Sequence, residues 1–107
     1  DNGLFGTDDP ITREQLAALL YRYSKIKGRD VSAAGDLSGF TDAGLVSAYA
    51  MDAVKWAAAL GLIQGKGEDN IEPAAYATRA EIAAIIQRYL DIYTRVLLVE
   101  DDLLQLD

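Results

Sequence analysis

Two arginines, Arg13 and Arg79, occupy positions where a cation is unwelcome. Each follows a threonine in the run Thr-Arg-x-[Gln/Glu], in "TREQLAALLYRY" from residue 12 and "TRAEIAAIIQRY" from residue 78. Thr12 with Gln15, and Thr78 with Glu81, fit a capping box: the threonine hydroxyl takes an amide three residues on, and the Gln or Glu side chain reaches back. Thr, Gln and Glu are thereby explained as helix starters. The arginine is left at the first helical position, where the macrodipole is positive and a cation is disfavoured by about 0.3–1 kcal/mol. Free amides at a helix start, with a guanidinium beside them, form a compact receptor for a carboxylate or phosphate. An ion pair within the chain, with Asp8 or Asp9 in the first copy, is the other reading. The same choice in both copies suggests a shared requirement.

Other chemistry is scarce. The chain has no cysteine and no histidine, which removes disulfides, thiolate sites, the usual general base and the commonest metal ligand. Asp8-Asp9 and Asp101-Asp102 are adjacent acids, whereas catalytic pairs face each other across a substrate in a cleft. The acidic turns also lack the spacing of an EF-hand loop. No catalytic residue, metal site or cofactor is therefore expected, and the chain reads as a non-enzyme. A net charge of -7 argues against non-specific binding to nucleic acid or an anionic membrane surface. Glu100, Asp101, Asp102 and Asp107 lie after the last base, Arg95; without them thirteen acids face ten bases, so any anion recognition must be local. No run of eighteen apolar residues exists, so no membrane insertion is expected. The opening "DNGLFGTDDP" has neither the basic region nor the apolar core of a signal peptide, so the signal of an exported protein would lie outside this chain.

The elements that must position the arginines are helical. At 107 residues, half of them apolar, the chain suits one small domain. Leu16, Leu19, Leu20, Tyr23 and Ile26 recur at helical spacing before Gly28; Val46, Ala50, Ala53, Val54, Ala57 and Leu60 do so before Gly61. Ile82, Ile85, Ile86, Tyr89, Leu90 and Tyr93 form a third stripe. The expected fold is all-α, a small helical bundle with three main helices. Residues 29–45 read as a long loop with a short turn, and 61–77 as a loop with a Gly-x-Gly turn and a proline; loops this long are often functional. The two Thr-Arg runs superpose at a shift of 66 residues, with Phe5 over Ile71, so one structural unit is used twice.

Residues 40–90 resemble one complete S-layer homology motif. They carry an aromatic-x-Asp opening (Phe40-Thr41-Asp42), a helix with an aromatic-Ala pair (Tyr49-Ala50), a Gly-Leu-Ile-x-Gly turn from Gly61, an apolar-x-Pro step (Ile71-Glu72-Pro73) and Thr-Arg-Ala-Glu from Thr78. Residues 5–28 resemble the second half of a preceding motif. The resulting organisation is 1–28 as a half motif, 29–39 as a linking loop, 40–92 as a complete motif and 93–107 as an acidic and apolar tail. The resemblance implies a fold in which three motifs usually pack around a pseudo-threefold axis. It also implies a function: non-covalent anchoring of exported proteins to the bacterial cell wall through an anionic, pyruvylated secondary cell wall polysaccharide. The chain would then be extracellular, at the cell surface.

By position, the resemblance assigns Arg79 and Arg13 to the pyruvate carboxylate, and Asp42, Tyr49, Gly65 and Lys66 to the groove walls against the sugar. Tyr49 stands where tryptophan is commoner, and either a stacking or a core role fits it. Trp56, seven residues on and on the same helical face, reads as core. Three departures stand out. With about one and a half motifs, a full set of grooves needs upstream sequence or another copy of the chain, a homo-oligomer. Gln15 and Glu14 replace Glu and Ala in the first copy. Asn70 ends the "GKGEDN" turn in place of glycine. In the tail, "RVLLVEDD" resembles the first strand and acidic pair of a receiver domain whose remainder is absent; Val96–Val99 favour a strand, Leu103 to Leu106 equally a helix. Such an apolar stretch would pack on the body or on another chain. The rival to a carbohydrate anchor is a protein interaction or oligomerisation module.

Overall fold

A computed structural model of the chain describes residues 10–63 and 70–104, with side chains through Thr94. The described residues are all-α, with helices α1 (Arg13–Ile26), α2 (Met51–Ala59) and α3 (Arg79–Leu104). Two 3-10 turns, Ala43–Leu45 and Ala48–Ala50, lead into α2, the first of them inside the loop expected to hold a turn. No strand forms among the described residues, and an antiparallel bridge joins Thr12 to Tyr76.

The helices start and stop for local reasons. Both capping boxes form: the Gln15 amide donates to the Thr12 hydroxyl and the Thr12 amide to Gln15 Oε1 (3.2 and 2.9 Å), as Glu81 and Thr78 do for α3 (3.1 and 2.8 Å). Gly28 and Gly61, each at φ 75°, end α1 and α2. In each case the glycine amide and the one after it bond back to carbonyls of the last turn, Lys25 and Ser24 in α1, Ala58 and Ala57 in α2. This is the Schellman arrangement, and glycine suits it because a Cβ disfavours positive φ.

Leu16, Leu20, Val54, Leu62, Ile71, Ile85 and Tyr89 form a buried core together with Trp56, which is 2% exposed. Tyr21 and Tyr89 meet the indole edge-on, with centroids 5.5 and 6.4 Å away. The buried hydroxyls of Ser24 and Tyr89 share a 2.8 Å hydrogen bond that ties α1 to α3. The inward stripe of α1 is Leu16, Ala17, Leu20 and Ser24, while Tyr23 and Ile26, expected inside, are exposed. Small Ala17 and Ser24 let neighbouring elements approach closely, which bulkier Tyr23 and Ile26 would prevent. Trp56 and Tyr49 also part company, since Tyr49 is 64% exposed. The 3-10 turn at Ala48–Ala50 winds at three residues per turn, so a seven-residue spacing across it loses the α-helical phase.

The loop after α1 is packed rather than free. The Gly35 amide donates to the Lys55 carbonyl at 2.8 Å, and a Cβ at Gly35 would stand 3.0 Å from the Ala59 nitrogen, so glycine permits this approach to α2. Leu37 is buried beside it. α3 runs unbroken to Leu104, across the expected boundary at residue 92, so the strand reading of Val96–Val99 gives way to helix. Strand propensity needs a partner strand, whereas extending a formed helix adds a hydrogen bond per residue with no new nucleation.

Candidate functional site

The two Thr-Arg starts come together in space but end up in different environments. Residues 71–77 cross the start of α1: the Arg13 amide donates to the Ala75 carbonyl (3.0 Å), that of Glu14 to Pro73 (3.1 Å), and that of Ala77 to Ile11 (2.8 Å). With Gln15 taken by Thr12, the first three amides of α1 are satisfied by the chain itself. The guanidinium is also engaged. Arg13 Nε donates to the Ile71 carbonyl at 2.6 Å, and one terminal nitrogen pairs with Glu81 Oε2 at 3.3 Å. Arg13 is 4% exposed. Of the two readings open for this arginine, the structure draws the intramolecular pair, and the carbonyl and carboxylate offset the positive helix end.

Arg79 lies on the surface. Among the described residues its guanidinium has no hydrogen bond or ion pair, and the amides of Arg79 and Ala80 have no acceptor. The Glu81 amide is taken by Thr78. This helix start retains the open amides and neighbouring cation of an anion receptor.

Asp42 holds the segment that serves Arg13. Its carboxylate accepts the amides of Ile71 and Glu72, both at 2.8 Å, and the Ile71 carbonyl then meets Arg13. Burial is the largest influence on this carboxyl and pushes its pKa up, but the two amides, with the Arg13 charge, outweigh it and hold the group below the ordinary carboxylate range. Glu72, at φ 52°, is a non-glycine residue in the left-handed region, and its amide is one of the two that Asp42 anchors.

Tyr49 borders a cleft of about 470 Å³ between α1 and the turn before α2. Loss of solvation, then the nearby Glu14 carboxylate, push its phenol pKa up. Ala18, Tyr21, Arg22, Lys25 and Ile26 contribute the α1 side of the cleft. Among the described residues no group of three or more acids could hold a metal ion, and no helix is long and apolar enough to cross a membrane.

Residues 39–83 match the model of the S-layer homology domain. The chain carries an S-layer homology domain. Its relatives include the Endoglucanase of Bacillus sp. (strain KSM-635), 32% identical over 89 residues, which are 83% of this chain and 10% of that protein. The Surface-layer 125 kDa protein of Lysinibacillus sphaericus is 31% identical over 90 residues, 81% of this chain and 7% of its own. The Amylopullulanase of Thermoanaerobacterium thermosulfurigenes is 34% identical over 88 residues, 78% and 4%. The chain thus spans a tenth or less of the length of these relatives. No solved structure matches it. An S-layer homology domain is a cell-wall anchoring module of surface proteins, and such domains bind cell wall polysaccharide.

Within the S-layer homology pattern, the departures acquire physical roles. Glu14 is buried, and its two carboxylate oxygens accept the Ser47 amide (2.8 Å) and hydroxyl (2.6 Å), fixing α1 to the turn that carries Tyr49. Asn70 accepts a hydrogen bond from the Thr41 hydroxyl, next to Asp42. Gln15 closes its capping box as a glutamate would. Gly65 and Lys66 lie outside the described residues. The cations Arg22 and Lys25 were not singled out by the motif. Their spacing from Ala18 and Tyr21, on one face of α1, was the available signal.

Proposed function

We propose that this chain anchors its parent protein to the bacterial cell wall by binding an anionic, pyruvylated secondary cell wall polysaccharide, with Arg79 holding the carboxylate. The reading is carried by the contrast between the two copies of one motif. Arg13 and the amides around it are occupied internally, whereas Arg79 offers an exposed guanidinium beside two amides that have no acceptor among the described residues. Carboxylate binding there would answer both the helix dipole and the guanidinium. Tyr49 offers an exposed ring to a sugar face, and Gly65 and Lys66 belong to the proposed groove by their place in the motif. Arg13 and Asp42 serve the site by holding residues 71–77, the segment that leads into Thr78 and Arg79. The module performs no catalysis in this reading, and its parent is exported to the cell surface.

The test is retention on purified sacculi before and after chemical removal of ketal pyruvate, for the wild-type chain and Arg79→Ala. Removal of either the pyruvate or the arginine should weaken binding about tenfold or more, the weight of one charge-assisted hydrogen-bonded pair. Thermal stability of Arg79→Ala should be unchanged or slightly raised, because a cation leaves a positive helix end. Retention that ignores the pyruvate would overturn the proposal.

A further inference from the structure

The cleft beside Tyr49 has a composition that neither the helix-start arginines nor the motif explains. On α1, Ala18, Tyr21, Arg22 and Lys25 follow one another at i, i+3, i+4 and i+7, so they share a face. Small Ala18 and, from α2, Ala53 line it, which leaves about 470 Å³ open between the two helices. That volume lies within the range of about 300–1,000 Å³ usual for small-ligand sites. Among the described residues two cations and no acid line it, in a chain whose net charge is -7. Such a local reversal of sign concentrates anions.

The cations are available and their surroundings are rigid. Arg22 is exposed and has no hydrogen bond or ion pair among the described residues. Lys25 sits 5.4 Å from the centroid of Tyr21, whose ring is braced edge-on against buried Trp56. Across the cleft, Tyr49 presents an exposed ring on a turn fixed by Glu14. The apolar C–H face of a pyranose packs on such a ring, and its hydroxyls bond to the phenol. The second copy of the motif does not reproduce the arrangement. At the corresponding positions it has Gln87, Arg88 and Asp91; Arg88 donates to the Leu62 carbonyl (3.2 Å), and Gln87 bonds to Asp91 (3.0 Å). The cleft is therefore a property of the first copy and its junction with Tyr49.

We propose that this cleft is a second glycan subsite, in which Arg22 and Lys25 bind the negative group of a charged sugar unit whose ring stacks on Tyr49. It rests on the wall-polysaccharide reading, in which Tyr49 faces the sugar, and adds to it the two cations of α1 that lie beside that ring. A polymer with repeated charges could then engage Arg79 and this cleft together, and its retention would exceed that of either site alone.

The probe is N-acetylmuramic acid, an amino sugar with a carboxylate, against neutral N-acetylglucosamine, titrated into the full chain and followed by backbone amide shifts. The acid should move resonances of residues 18–26 and 48–53, with an affinity that falls as salt rises, and the neutral sugar should bind about tenfold more weakly or not at all. Arg22→Gln with Lys25→Gln should weaken the acid about tenfold or more, and Arg22→Lys with Lys25→Arg should recover most of the loss. Arg79→Ala should leave this titration unchanged while reducing retention on sacculi, which separates failure of the cleft from failure of the wall reading. Shifts confined to other residues, or a double glutamine variant that binds like wild type, would overturn the subsite. So would a double variant whose only change is a lower melting temperature, since the cations would then merely serve the negative end of α1.

Discussion

Arg13 and Arg79 are the same residue in the same local motif, and their surroundings give them different work. Arg13 is a buried cation held by a backbone carbonyl and Glu81, so its removal strands both partners. Arg13→Ala should cost about 3 kcal/mol or more of unfolding free energy in a urea titration. Arg79→Ala should cost nothing measurable in the same experiment, and equal losses would mean that both arginines are structural. Asp42 carries a pH signature. Its folded pKa is depressed, so its contribution is fully present above the unfolded value of about 3.9 and is lost as pH falls through the folded value. Asp42→Asn should destabilise the chain by about 1–2 kcal/mol at neutral pH, a figure discounted for partial solvent exposure. The difference from wild type should vanish in strong acid. A gap that persists there would assign the effect to packing.

At the scale of elements, α1 is a hub that faces three ways. Its start is crossed by residues 71–77, its inward stripe meets the core around Trp56, and its outer stripe forms one wall of the Tyr49 cleft. Glu14 links the first of these to the last, because the turn carrying Tyr49 hangs from its carboxylate through Ser47. Glu14→Ala, which restores the residue commoner in the motif, should lower stability by about 1–3 kcal/mol by leaving the Ser47 amide and hydroxyl without their acceptor. It should also broaden the amide resonances of residues 47–50, and sharp, unshifted signals there would show that the turn is held by other contacts. The long loop after α1 fits the same logic: Gly35 and Leu37 pack it onto α2, so its length serves coverage of the core.

At the scale of the molecule, α1 and the residues from 37 onward share a single core. Leu16 and Leu20 of α1 belong to the same buried cluster as Trp56, Ile71 and Tyr89, and Ser24 bonds to Tyr89, so neither side is a complete hydrophobic unit. A fragment of residues 40–92 alone should show little helical circular dichroism and no cooperative melt, whereas the full chain melts in one transition. A folded fragment would show that the motif is self-sufficient. The sequence by itself determined the helix starts, through Thr12 with Gln15 and Thr78 with Glu81, and the stops at Gly28 and Gly61. It also determined the family, through the ordered motif from Phe40 to Glu81. All of these depend on residues a few positions apart, whose hydrogen bonds and backbone torsions close locally. Tertiary structure alone decided that Arg13 is buried, because its acceptors lie 58 and 68 residues away. It decided that Tyr23 and Ile26 face outward and that Tyr49 leaves the face of Trp56. It also brought Arg22 and Lys25 opposite Tyr49, since the choice of helix face is settled by which neighbour fits against it.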